Sequence, residues 1–316
     1  MVLSKSKIKE LLIGAVNINE FSDGIRPFKC TEKQIKIWYG QTEFLGNGAE
    51  STTGITLDFH TDADYVDFEV SGGKFEVLIN GVLFKQYIFA DSEFHKIELR
   101  LDKAEKRITL VFPSHGKGGI LKQVEIKNES FTVPHKFEKK ILFLGDSITQ
   151  GWNSKYNCLS YAYQVSNYFN AERVINGIGG SYYLPEAFDE IDFNPDIVIV
   201  AYGANDFISQ YTNAEDFEHN ATQFLGKIKE YYKNKNVIVI TPIYMFAEKI
   251  KNIGTLDEHR DRIKRMATDF GFNVVDGFKL VPHIRDFFDD DFHPNDLGFS
   301  IYANKLISEI NKIITV

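Results

Sequence analysis

The sequence predicts an α/β protein in two parts: an antiparallel, jelly-roll-like β-sandwich over residues 1–138, then a doubly wound parallel sheet with helices on both faces over residues 139–316. Three observations predict it. From about residue 31 to 133, apolar residues alternate with polar ones at period two. From Ile141 onward, continuous apolar runs of parallel-strand type recur, and longer segments of helical period separate them. At 316 residues the chain also exceeds the usual size of one domain.

In the first part, GITLDFH (Ile55, Leu57, Phe59), KIELRL (Ile97, Leu99, Leu101) and RITLVF (Ile108, Leu110, Phe112) each direct alternate side chains to one face, as half-buried antiparallel strands do. KFEVLINGVLFKQY places Asn80-Gly81 between two such runs, and this pair accepts the positive φ angles of a tight hairpin turn. Seven or eight short strands with no helix between them are expected here. Around FTVPHKFEKK the alternation stops, which puts the boundary near residue 138. Beyond it the strands ILFLG, VIN, DIVIVAYG, NVIVITP and FNVVDG alternate with helical stretches such as Asp216 to Lys233 and Leu256 to Phe270. Strands and helices in this order wind a parallel sheet with right-handed crossovers.

Composition narrows the function. A formal net charge of −8 argues against nucleic acid as a partner, because gripping a phosphate backbone takes clustered Lys and Arg. The N-terminal MVLSKSKIKELLIGAVNINE has no apolar run longer than LLIGAV, too short for a secretory segment, and no 18-residue apolar stretch occurs anywhere. A cytoplasmic protein without a membrane partner is therefore expected. Cys30 and Cys158 have neither metal-ligand nor disulfide-framework spacing, so no metal or cofactor is expected either.

Sites in open parallel sheets form beyond the carboxyl ends of the strands. The first strand runs into Gly145-Asp146-Ser147-Ile148-Thr149 and the second into Asn176-Gly177-Ile178-Gly179-Gly180-Ser181. The third runs into Gly203-Ala204-Asn205-Asp206, and DDDFHPND near the C-terminus carries Asp290 and His293. Together these supply the parts that acyl transfer from an alcohol needs. Ser147, at a strand-to-helix turn, is the candidate nucleophile, with its own N–H available at the helix start. His293 is the candidate base, and Asp290, three residues earlier, the group that orients it. The Gly180 N–H and the Asn205 side-chain amide complete a candidate oxyanion hole with Ser147. Trp152, Tyr182, Asp146 and Asp206 adjoin these residues and are candidate substrate contacts.

These four blocks, in this order, resemble those of the SGNH hydrolases, the GDSL esterase/lipase superfamily. Ser147, Gly180, Asn205 and His293 fall on its four name-giving positions and Asp290 on its triad acid. The resemblance covers about residues 139 to 316 and implies a flavodoxin-like three-layer α/β/α fold. In one respect the chain departs from the pattern: Ser181-Tyr182-Tyr183 stands where Asp-Thr often follows the Gly block. A β-sandwich ahead of such a domain is similar to the arrangement in carbohydrate esterase family 2, which implies an oligosaccharide ester, an acetate foremost, as substrate. Two alternatives remain. One is a lipid or thioester hydrolase. The other is a carbohydrate-binding protein with an inert second part, in which Trp38, Tyr39, Phe75 and Tyr87 of the sandwich would bind the sugar. The remaining histidines, His115 and His259 among them, show no partner pattern and read as surface or core.

Overall fold

The computed structural model describes residues 1–22, 24–210, 213–246 and 253–314. Its first part opens with α1 (Lys5–Leu11), β1 (Leu12–Ile13), β2 (Asn17–Phe21) and β3 (Gly24–Phe28), followed by α2 (Glu32–Gln41) and α3 (Glu43–Ala49). Eight strands then follow: β4 (Thr56–Thr61), β5 (Tyr65–Ser71), β6 (Gly73–Ile79), β7 (Val82–Phe89), β8 (His95–Arg100), β9 (Lys106–Val111), β10 (Ile120–Ile126) and β11 (Val133–Pro134). They form two antiparallel sheets. One has the order β1-β4-β9-β6-β7 with β11 also on β4; the other has the order β2-β3-β10-β5-β8. Leu57, Phe59, Ile108 and Leu110 of the first sheet meet Val66, Phe68, Ile97 and Leu99 of the second in one buried core. This is the expected sandwich, and Asn80 (φ 52°) and Gly81 (φ 80°) make the expected turn between β6 and β7.

The expectation of no helix among these strands needs correction. Gln34-Ile35-Lys36-Ile37-Trp38 alternates like a strand, yet Thr31 and Gln34 form a capping box that starts α2, and Gln34 and Trp38, four residues apart, share its buried face. Thr42 likewise caps α3 through the Leu45 N–H. Both helices pack on the second part, where Trp38, Leu45 and Ala49 join Ile178, Tyr182 and Ala187 in a common core. Trp38 and Phe75 are buried, so they cannot serve as the exposed sugar-binding aromatics considered for the sandwich.

The second part contains β12 (Lys139–Gly145), α4 (Ser147–Gln150), α5 (Tyr161–Tyr168), β13 (Ala171–Gly177), β14 (Ile197–Ala201), α6 (Ala214–Tyr231), β15 (Asn236–Ile240), α7 (Leu256–Asp269), β16 (Asn273–Val275) and α8 (Asp296–Ile314). All five strands are parallel, in the order β13-β12-β14-β15-β16. Side chains alternate across this sheet, and both faces are covered. Ile141, Phe143, Ile199 and Ile238 point to the layer with α5 and α8, while Leu142, Leu144, Val200 and Val239 point to the layer with α6 and α7. That double burial is why the strands read as unbroken apolar runs, and each fully buried side chain of this kind contributes roughly 1.5–3 kcal/mol. The strand order reverses between β12 and β14, and it is at the carboxyl ends beside such a reversal that open parallel sheets form their clefts.

The two parts are joined through buried polar groups. Glu76 of β6 accepts from the Asn157 and Cys158 N–H groups, and Arg173 of β13 donates to the Gly54 carbonyl and Thr56 Oγ1. Lys29 donates to the Gly177 carbonyl at 2.7 Å, to Thr53 Oγ1 and to Ser51 Oγ; burial pushes its ammonium down to about 8. Among the described residues, no helix is long and apolar enough to cross a membrane.

Candidate active site

Gly145 ends β12 in a spot where a Cβ would lie 2.1 Å from Thr149 Oγ1 and 2.8 Å from the Ala201 carbonyl, so the tight turn needs glycine. Asp146 caps the short helix α4 by accepting from the Ile148 N–H, which leaves Ser147 as its first residue. Gly151, at φ 84°, ends that helix after one turn. The Ser147 hydroxyl thus stands on a tightly fixed bend just beyond the carboxyl end of β12.

From the other end of the chain, the loop before α8 brings His293 to it. His293 Nε2 lies 2.8 Å from Ser147 Oγ, and His293 Nδ1 lies 2.7 Å from Asp290 Oδ2. A carboxylate only accepts, so Nδ1 carries the hydrogen and Nε2 faces the serine hydroxyl as an acceptor. Asp290 Oδ1 also accepts from the Phe292 and His293 N–H groups, at 2.9 and 2.7 Å. Partial burial pushes the Asp290 carboxyl up, but the hydrogen bonds from His293 and these backbone groups outweigh it and hold the carboxyl below its usual range. Burial holds the His293 imidazole below its ordinary 6.5, against the pull of Asp290. Both side chains are largely enclosed, with Ser147 8% and His293 7% exposed.

The other two blocks stand beside Gly145 because β13 and β14 flank β12, with Gly177 and Ala201 both in register with Gly145. The Ile178 N–H and Ser181 Oγ both donate to the Gly145 carbonyl, and Gln150 Oε1 accepts from the Gly179 N–H. Gly180 adopts φ 82°, a left-handed conformation suited to glycine. Asn205 Nδ2 donates to the Ser181 carbonyl at 2.9 Å, linking the third block to the second. Behind it, His259 Nε2 donates to the Gly203 carbonyl at 2.9 Å; burial pushes this imidazole down to about 4, so it is neutral.

Three expected substrate contacts are corrected. Asp206 is fully buried and accepts from the Tyr183 N–H, and burial pushes its carboxyl up to about 8. Asp146 is spent on the α4 cap, with its carboxyl pushed up to about 7, also by burial. Tyr182 packs edge-on against Trp38 and donates its hydroxyl to Gln41. All three side chains are buried and make hydrogen bonds within the protein. Trp152 differs: half-buried, its ring lies 6.2 Å from that of His293.

The motif reading missed residues supplied by the first part. Phe44 of α3, 55% exposed, packs edge-on against Trp152 at 5.9 Å and stands over Gly180. His115 packs edge-on against the same indole at 5.1 Å, and burial pushes its imidazole down to about 4. Gln150 Nε2 donates to the Ser114 carbonyl. No local sequence signal marks Phe44 or His115, since their partners are more than thirty positions away.

The profile of the GDSL-like lipase/acylhydrolase family matches residues 143–301. No match was found among curated protein sequences. Among solved structures, the chain is similar to the salicylyl-acyltransferase SsfX3 from a tetracycline biosynthetic pathway, at 15% identity and a TM-score of 0.81, covering 95% of this chain and 94% of that one. It is also similar to a family two carbohydrate esterase from Clostridium thermocellum in complex with cellohexaose, at 14% identity and a TM-score of 0.73, covering 96% and 99% of the two chains. An acetyl xylan esterase from the rumen bacterium Butyrivibrio proteoclasticus shares 16% identity at a TM-score of 0.61, covering 83% and 90%. At these identities the likeness is one of fold.

Proposed function

The chain belongs to the GDSL-like lipase/acylhydrolase family, and from that premise we propose that it is a serine esterase releasing small acyl groups, acetyl foremost, from carbohydrates. The observation that carries this reading is the unbroken hydrogen-bonded series Ser147 Oγ, His293, Asp290. Ser147 Oγ attacks the ester carbonyl carbon while its proton passes to His293 Nε2. The carbonyl π pair moves onto oxygen, and that oxyanion accepts hydrogen bonds from the Ser147 and Gly180 N–H groups and the Asn205 amide. One Asn205 N–H is held by the Ser181 carbonyl, which aims the second. The oxyanion collapses, the alcohol leaves with the proton from His293, and an acyl-serine remains. Water, deprotonated by His293, then attacks the acyl carbon and releases the carboxylic acid.

The division at residue 138 is part of this proposal. The change from antiparallel to parallel pairing at Lys139 supports it. Residues 1–138 then form a wall of the cleft, with Phe44 and His115 flanking Trp152, and Phe44 and Trp152 form an aromatic rim suited to a sugar ring.

Two results are expected. Because only the neutral imidazole can take the serine proton, kcat/KM for a neutral ester should rise with pH and level off, with a midpoint below the ordinary 6.5 of histidine. A midpoint above 7 in the pH–rate profile would count against His293 as that base. Comparing acetate with octanoate esters of one chromogenic alcohol separates the sugar-acetate reading from a lipid or thioester hydrolase. The acetate should have the higher kcat/KM, and preference for octanoate would favour the lipid reading.

A further inference from the structure

We infer that Asn153 is a positioning residue for the triad acid, a role that rests on the reading of Ser147, His293 and Asp290 given above. Asn153 Nδ2 donates to Asp290 Oδ2 at 2.9 Å, and this is the same oxygen that receives His293 Nδ1. Among the described residues, the other three hydrogen bonds on this carboxylate come from within residues 290–293 and set its direction only relative to its own loop. Asn153 supplies the bond that refers it to the nucleophile. It lies directly beyond the nucleophile's helix, where the Trp152 N–H donates to the Ser147 carbonyl at 2.8 Å and Gly151 caps α4. The serine and the amide that orients the acid are therefore set by one turn of backbone.

Two further features support the assignment. Asn153 adopts φ 68°, a left-handed conformation that asparagine tolerates better than most residues, and its amide reaches out of that turn to the carboxylate. Next to it, the Lys155 N–H donates to Asp296 Oδ1 at 2.8 Å. Residues 153–155 thus hold the start of α8 as well as the acid, and both distances on which proton transfer depends are referred to one short segment. The other titratable groups near the carboxylate are Asp289 and the His293 imidazole; Arg285 reaches the main-chain carbonyl of Asp290 and the Asp291 carboxylate.

The test uses two variants of the full chain and one chromogenic acetate. Asn153→Gly removes the amide yet keeps the left-handed backbone relaxed, so a role confined to the turn predicts full activity. A positioning role predicts a kcat lower by about ten- to a hundredfold, the loss of one hydrogen bond to a charged group, with KM within about twofold. Asn153→Asp keeps the shape and the turn but sets a carboxylate against Asp290. It should lower kcat at least as far and move the acidic limb of kcat/KM to higher pH, because added negative charge favours the imidazolium. Wild-type kcat in Asn153→Gly, or an unmoved limb in Asn153→Asp, overturns the assignment. Ser147→Ala measured alongside separates the two readings. Undiminished activity there overturns the triad and this role together, whereas loss of activity there with an unimpaired Asn153→Gly overturns this role alone.

Discussion

Ser147→Ala should lower turnover of a chromogenic acetate ester by about a millionfold, the scale of losing a triad nucleophile. The hydroxyl stands 2.8 Å from His293 Nε2, and alanine leaves the imidazole with no proton to take. The structural cost should be small. Ser147 Oγ makes no helix cap, since Asp146 does that, and the bend around it is set by Gly145 and Gly151 rather than by the serine side chain. Thermal melting of the variant should therefore match the wild type while turnover disappears. Activity within tenfold of wild type would mean that the acyl group never rests on this oxygen.

Asp290→Asn should lower kcat by about ten-thousandfold while leaving KM nearly unchanged. The amide oxygen is drawn to the position facing the Phe292 and His293 N–H groups, where Oδ1 now accepts both. The NH2 group must then take the position of Oδ2, opposite His293 Nδ1 and the Asn153 amide, which can turn to offer its oxygen instead. Two donors cannot share that 2.7 Å contact, so the imidazole shifts its hydrogen to Nε2. In that tautomer Nε2 points a hydrogen at Ser147 and cannot accept one. A kcat within tenfold of wild type would show that the imidazole keeps its tautomer without Asp290.

Much of the architecture was legible because its signals are local. Asn80-Gly81 announced its turn through backbone preference, and the apolar runs of β12 and β14 announced strands covered on both sides. The helices α2 and α3 were hidden for an equally local reason: Ile35 and Ile37 mimic strand alternation, and only the capping pair Thr31 and Gln34 argued otherwise. At the candidate site, motif position named segments but not which way each side chain turns. Ser147 and Asp146 are neighbours, yet one faces His293 and the other the backbone of its own helix. Asn205 and Asp206 divide in the same way, one amide reaching Ser181 and the next carboxyl buried against the Tyr183 N–H.

The sequence by itself determined the two kinds of sheet, the hairpin, and the three strand ends that carry Ser147, Gly180 and Asn205, because periodicity and turn chemistry act between residues a few positions apart. Only the tertiary structure decided that Phe44 and His115 flank Trp152, that Asn153 grips Asp290, and that Asp146, Tyr182 and Asp206 turn inward. Those outcomes depend on how the first part packs across the crevice and how the loop before α8 folds back onto the nucleophile's turn. Contacts between segments distant in sequence are set by shape and burial, which no short stretch of residues encodes.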